Sequence, residues 1–174
     1  RSDGFTIFHY VVQSFSPNIP ECITALLSSP QGKAHVNDTC VIEGSALSAF
    51  ELTILRHAIN VSYIFLDHPE VQFQQRAMAM SIKDSEFYLL DKLLLRREAR
   101  KYINAEDPNG ETLLEISIQK GDPVFVKLLL DHGAKFSARR FKGLTPLQIF
   151  EKCFSGTDEA RVKIKELLQK AKHS

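Results

Sequence analysis

Apolar residues recur every three or four positions through most of the chain, which is the spacing of amphipathic helices. Val124, Leu128 and Leu129 form one such stripe. The segment Asp158–Lys172 opens with acidic residues and becomes rich in lysine toward its end, which suits the dipole of a helix. The pattern therefore predicts an all-α protein made of short helices separated by turns.

Two neighbouring segments share the same order of residues without a gap. The first, residues 107–138, reads DPNGETLLEISIQKGDPVFVKLLLDHGAKFSA, and the next opens with RFKGLTPLQIF. Three matched pairs lie 33 positions apart: Gly110 and Gly143, Thr112 and Thr145, Leu114 and Leu147. Self-similarity at such a period is typical of repeat proteins, so the fold is interpreted as an array.

The order G-x-T-x-L, an apolar helix, Gly-Asp, and L-L-L-D-H-G-A resembles the ankyrin repeat. Gly4-Phe5-Thr6-Ile7-Phe8-His9 matches the same opening, and Ile19–Ser28 would be its second helix. The resemblance implies a solenoid of stacked helix-turn-helix units with short β-turn fingers, forming one domain over residues 1–174. Its five units would span about 3–37, 44–73, 74–105, 106–138 and 139–172, the third being degenerate.

One helical unit cannot cover its own apolar face, so neighbouring units would bury a continuous core between them. In the ankyrin family, a histidine near the start of each first helix forms hydrogen bonds that connect neighbouring repeats. Here that position holds His9, and the later units replace it with Glu51, Ala79, Glu115 and Gln148. We therefore expect looser contacts between repeats, especially around the third.

Charge is distributed unevenly along the chain. The 174 residues carry a formal net charge of +1. Residues 1–87 hold five Lys and Arg against nine Asp and Glu, a net of −4, and residues 88–174 hold 17 against 12, a net of +5. Two basic clusters, Arg96-Arg97 with Arg100-Lys101 and Arg139-Arg140 with Lys142, are either solvated faces or contacts for an acidic protein, and nucleic acid is disfavoured.

No motif for catalysis, cofactor binding or metal binding stands out in the sequence. It has no glycine-rich phosphate loop and no zinc or calcium spacing, so we expect neither an enzyme nor a cofactor, nor a small-molecule substrate. Three widely spaced cysteines do not make a disulfide framework, and no apolar run is long enough to span a membrane, which favours an intracellular protein. His9 and Cys22 are interpreted as core residues rather than a thiol–imidazole pair.

The ankyrin resemblance implies a protein-interaction module that binds its partner through the finger turns and the first helices. Apolar residues on finger tips would either anchor the partner or pack on a neighbouring finger. The candidate partner-binding residues are Phe141, Leu144, Lys142, Arg140, Arg139, Asn109, Glu111, Lys120, Lys152, Phe5, Leu47 and Arg56.

An alternative interpretation places the same array in a larger protein. The chain would then be a targeting or regulatory domain of a multidomain enzyme, such as a bacterial effector or a methyltransferase, with its catalytic part outside these residues. The start at Arg1 and the apolar residues that follow it favour a preceding segment.

Overall fold

The computed structural model describes residues 4–14, 16–135, 146–154 and 156–172. Within these residues the chain forms twelve helices and one two-stranded sheet, so the all-α prediction is confirmed. The chain divides into two compact units, residues 1–77 and 78–174.

The first unit contains five helices, one β-hairpin and the start of a sixth helix. Its elements are α1 Ile7–Gln13, α2 Ile19–Ser28, α3 Pro30–His35, β1 Thr39–Ile42, β2 Ser45–Ser48, α4 Ala49–Leu55 and α5 Ile59–Leu66. Helix α6, Gln75–Lys83, begins in this unit and ends in the second. Helix α1 packs on α2 and α4, and α2 packs on α5, so corresponding helices of consecutive pairs lie against each other.

The second unit continues with six further helices. They are α7 Phe87–Leu95, α8 Ala99–Tyr102, α9 Leu113–Lys120, α10 Pro123–Asp131, α11 Pro146–Cys153 and α12 Asp158–Lys172. Helix α9 packs on α10 and α11, and α10 packs on α12. This unit therefore has the same order of contacts as the first, with first helix on first helix and second on second.

A short helix and a β-hairpin follow α2 and precede α4. Ser29 caps α3 by accepting a hydrogen bond from the Gly32 backbone N–H at 3.0 Å, and Pro30 occupies the first helical position. Strands β1 and β2 pair antiparallel. Glu43 and Gly44 both have positive φ, at 49° and 78°, as a tight two-residue hairpin turn requires.

A left-handed backbone position separates the two helices of three pairs. His57, Ser85 and Gly121 have φ of 55°, 64° and 75°. Each lies nine residues after a position at the start of the first helix. These positions are Ser48 and Thr112, which precede α4 and α9, and Arg76, the second residue of α6. The same turn geometry is thus built with three different residue types, of which only glycine adopts it without steric cost.

Replacing Ser85 with glycine is expected to stabilise the protein. The exposed serine is strained at φ 64°, and relief of that strain outweighs the added chain entropy by about 0.5 kcal/mol. Urea unfolding followed by circular dichroism measures the change. Ser28→Gly, at the exposed end of α2 where φ is helical, should instead destabilise by about 0.5 kcal/mol; a loss in both variants would contradict the argument.

Each unit has an apolar core built from its own helices. In the first, the fully buried rings of Phe8, Phe50 and Phe65 come together from α1, α4 and α5. In the second, Phe125 of α10 meets Phe87 of α7 with ring centroids 6.0 Å apart. Helices of consecutive pairs thus share aromatic contacts within each unit.

Candidate interaction surface

The structure describes seven of the twelve residues predicted to contact a partner. The other five lie outside the described residues, and their roles stay predictions: Phe141, Leu144, Lys142, Arg140 and Arg139. Of the seven, Asn109, Arg56 and Lys152 are exposed, Glu111, Lys120 and Phe5 are half-buried, and Leu47 is buried.

The expectation that Leu47 is an exposed finger residue is wrong. Leu47 lies in β2 opposite Cys40 and keeps only 5% of its surface exposed. Pairing in the hairpin fixes which face each side chain occupies, because successive residues of a strand point to opposite sides. Its side chain therefore belongs to the core of the first unit.

Phe5 packs on its own helix. Its ring lies 5.7 Å from the His9 ring and 5.4 Å from the Tyr10 ring, measured between centroids. Phe5 is half-buried, so part of the apolar surface that the finger hypothesis assigns to a partner is occupied by contacts with neighbouring rings.

A carboxylate organises the turn before α9. Asp107 accepts hydrogen bonds from the backbone N–H groups of Asn109 at 2.8 Å and Glu111 at 2.9 Å. The Glu111 carboxylate in turn accepts a hydrogen bond from Gln119 Nε2 at 2.8 Å. The turn is therefore fixed before any partner binds, with the Asn109 side chain on its exposed tip.

Lys120 has a structural role that the sequence analysis missed. Its Nζ donates to the carbonyl oxygens of Ile82 at 2.5 Å and Lys83 at 2.7 Å. These carbonyls end α6, where a cation offsets the negative end of the helix dipole. The ammonium thus connects α9 to α6, and it is a poor candidate for partner contact.

Arg56 and Lys152 are the basic candidates that remain free to act at the surface. Both are exposed, and neither side chain forms a hydrogen bond or ion pair with another residue in the part of the chain that the structure describes. Arg56 follows α4, and Lys152 lies near the end of α11. Each closes a first helix, where the sequence analysis expected partner contact.

His9 and Glu51 occupy the same position, three residues after the residue that precedes their helix. His9 connects to β2 and Glu51 connects to α6. His9 Nε2 lies 3.1 Å from the Leu47 carbonyl oxygen, and Glu51 accepts from Arg76 Nη2 at 3.3 Å. Arg76 also donates to the carbonyl of Ala46. The expected loosening does not hold for Glu51, because an ion pair replaces the histidine's hydrogen bond.

Hydrogen bonding fixes the tautomer of His9. The Thr6 backbone N–H can only donate, so His9 Nδ1 at 3.2 Å must accept. Nε2 then carries the hydrogen that is donated to Leu47. Burial lowers the pKa of His9 below 6.5, while the Leu47 carbonyl and Asp38 oppose that change.

Stability should therefore fall as the pH drops below 6.5. In that range the unfolded chain protonates its histidine while the folded chain keeps His9 neutral, so protons favour unfolding until the lower folded pKa is reached. His9→Gln removes this titration and should flatten part of the dependence. Urea midpoints between pH 8 and pH 5 compare the two proteins; identical pH slopes would exclude a role for His9.

Two asparagines form the same pair of hydrogen bonds, one in each unit. Asn37 Nδ2 donates to the Glu70 carbonyl at 2.8 Å, and its Oδ1 accepts from the Gln72 N–H at 2.8 Å. Asn104 repeats the arrangement with the Gly133 carbonyl at 3.1 Å and the Lys135 N–H at 2.7 Å. Each side-chain amide thus connects the segment after the second helix of one pair to the segment after the second helix of the next pair.

Comparison with known proteins gives no family for this chain. No protein-family model matches it, and no curated protein sequence matches it. Among the described residues no three His, Cys, Asp or Glu side chains group as a metal site would require. The helices there are also too short or too polar to cross a bilayer.

Proposed function

We propose that the chain is an array of ankyrin-like helical pairs that binds another protein through its turns and the ends of its first helices. The observation that carries the proposal is the repeated order of helix contacts, in which first helices pack on first helices and second on second in each unit. Stacking of this kind is the means by which repeat proteins bury their apolar faces.

Equivalent positions in the pairs support the repeat interpretation. Thr53, Ser81 and Ser117 lie five residues after Ser48, Arg76 and Thr112, and all three are fully buried. The hydroxyls of Thr53 and Ser117 donate to the carbonyls three residues before them, at 2.6 Å and 2.7 Å. The left-handed turn positions and the two asparagine bridges follow the same register.

The exposed residues favour a protein partner with an acidic surface. Arg56 and Lys152 are basic side chains at the ends of α4 and α11, and Asn109 is exposed on a preformed turn, where its Nδ2 donates to Asp107 Oδ2 at 3.2 Å. Arg139, Arg140 and Lys142, outside the described residues, would add to this charge. The proposal assigns no reaction, cofactor or small-molecule substrate to the chain.

Photo-crosslinking identifies the partner and tests the proposed surface together. A photoreactive residue at Asn109 should capture a specific protein from cell extract, and the same residue at exposed Lys165 of α12 should not capture it. Equal capture from both positions would contradict the assignment of the surface.

Affinity measurements on the captured partner then test individual residues. Phe141→Ala and Arg140→Glu should each raise Kd about tenfold without changing the helical circular dichroism spectrum. Arg56→Glu should weaken binding to an acidic surface in the same direction. Wild-type affinity in both Phe141→Ala and Arg140→Glu would overturn this part of the proposal.

A further inference from the structure

A cationic groove lies within the second unit, apart from the turns discussed above. It is a cavity of about 530 Å³ at the end of α7, lined further by α8 and by His132 after α10. Its volume falls in the range of sites that hold a ligand or a short peptide segment. Three arginines line it: Arg96, Arg97 and Arg100.

Among the described residues, an acidic neighbour neutralises only one of these guanidinium groups. Arg96 Nη2 lies 3.1 Å from Glu98 Oε1, and this hydrogen bond lowers the pKa of the Glu98 carboxyl. Arg97 and Arg100 are exposed and form no hydrogen bond or ion pair with another residue in the described parts of the chain. Three arginines and one glutamate leave the groove with a net charge of +2.

The groove also has an apolar component. Leu94, Ala99 and Ile103 are buried beneath it, while Leu95 on its rim keeps 72% of its surface exposed. The two unpaired guanidinium groups can bind an anion. The large exposed leucine beside them can contact an apolar side chain next to that anion. This combination matches the recognition of acidic motifs by arginine clusters.

The shape and lining favour a peptide over other polyanions. The guanidinium groups line a depression. A flat membrane surface is instead contacted by side chains that project from the protein. Among the residues that the structure describes, no Phe, Tyr or Trp lines the groove, although binding of single-stranded nucleic acid depends on aromatic rings that stack with bases. An extended segment of a protein can enter the depression and carry both an acidic and an apolar side chain.

We propose that this groove binds an acidic peptide segment of a partner protein, with a carboxylate held by Arg97 and Arg100 and a neighbouring apolar side chain packed on Leu95. Arginine suits this role because its planar fork can donate two parallel hydrogen bonds to one carboxylate. The proposal does not depend on the ankyrin interpretation, because it rests on the contents of one unit alone.

Fluorescence anisotropy with the full chain tests the proposal. The probe is a fluorescein-labelled peptide in which leucine occupies every third position and aspartate or glutamate the others. Arg97→Gln/Arg100→Gln should weaken binding about tenfold or more, because both partners of the carboxylate are lost. The charge-matched variant Lys163→Gln/Lys165→Gln, with both changes on exposed positions of α12, should stay within about twofold.

The apolar contact has its own matched pair of variants. Leu95→Ala should weaken the probe about threefold, while Val162→Ala, which truncates another exposed apolar residue at 60% exposure, should leave binding unchanged. A probe with serine in place of leucine should bind the wild-type protein more weakly than the leucine probe does. Leu95→Ala should weaken the binding of this serine probe little further. All variants change exposed side chains, and circular dichroism checks that each is folded.

Three results would overturn the proposal. The first is equal weakening by the arginine and lysine double variants, which would mean general attraction between charges. The second is the absence of probe binding at millimolar protein. The third is tighter binding of phosphatidylserine vesicles or of a single-stranded oligonucleotide with the same dependence on Arg97 and Arg100, which would make the groove a lipid or nucleic-acid site.

Discussion

Phe65→Ala is expected to destabilise the protein by about 3–5 kcal/mol, the range found for truncating a fully buried phenylalanine. The Phe65 ring lies 5.8 Å from the Phe8 ring and 6.2 Å from the Phe50 ring, and none of the three is exposed to solvent. Its removal leaves a cavity where α1, α4 and α5 meet. Urea unfolding monitored by circular dichroism measures the loss.

Leu55→Ala provides the comparison in the same unit. Leu55 is 46% exposed at the end of α4, so its truncation should change stability by no more than about 1 kcal/mol. Similar effects of the two substitutions would mean that Phe65 does not occupy a packed core. The contact between consecutive pairs in the first unit would then lack its main apolar component.

Gly121→Ala is expected to have the second large effect, because two separate costs combine at this turn. Gly121 has φ 75°, which costs an alanine about 1–2 kcal/mol. A Cβ there would also lie 2.6 Å from the Gly156 nitrogen and 2.8 Å from the Gly156 Cα. Both are backbone atoms, so the clash cannot be relieved by rotating a side chain and should add about 1–3 kcal/mol.

Gly133→Ala separates the two costs. Gly133 has φ 91°, but an added Cβ would meet nothing within 4 Å. It should therefore carry the backbone cost alone, and Gly121→Ala should be more destabilising by at least about 1 kcal/mol. Equal losses in urea unfolding would contradict the close approach of the turns at Gly121 and Gly156.

Sequence patterns predicted the helices whose boundaries depend on local chemistry. Helices α2 and α12 begin and end at the predicted residues, Ile19–Ser28 and Asp158–Lys172. Thr112 caps α9, since its hydroxyl accepts a hydrogen bond from the Glu115 N–H at 3.3 Å. Helix spacing, proline position and capping residues act within a few positions, so the sequence alone can indicate them.

Features that depend on distant partners were not predictable in the same way. Leu47 is buried because β2 pairs with β1. The turn sequence between these strands gave little sign of a hairpin. Cys22 was expected in the core and is exposed, although His9 in the same helical pair is buried as predicted. The ends of Lys120 and Arg76 reach across to other elements, and such contacts are set by the fold rather than by neighbouring residues.

The Glu51 position shows why a missing motif residue does not mean a missing contact. Looser packing was expected where the ankyrin histidine is absent. A glutamate there retains the capping hydrogen bond from the Ser48 N–H at 3.1 Å and adds an ion pair with Arg76. Because Glu51 is only 3% exposed, loss of Arg76 would leave a buried carboxylate without its cation, a costly arrangement.

Nuclear Overhauser contacts between aromatic rings test most directly whether consecutive helical pairs stack. With selectively labelled phenylalanine, the account predicts cross-peaks between Phe8 and Phe65 in the first unit and between Phe87 and Phe125 in the second, whose ring centroids lie 5.8 Å and 6.0 Å apart. Absence of both cross-peaks in the folded protein, with rings in contact only within their own helical pair, would contradict the stacked array.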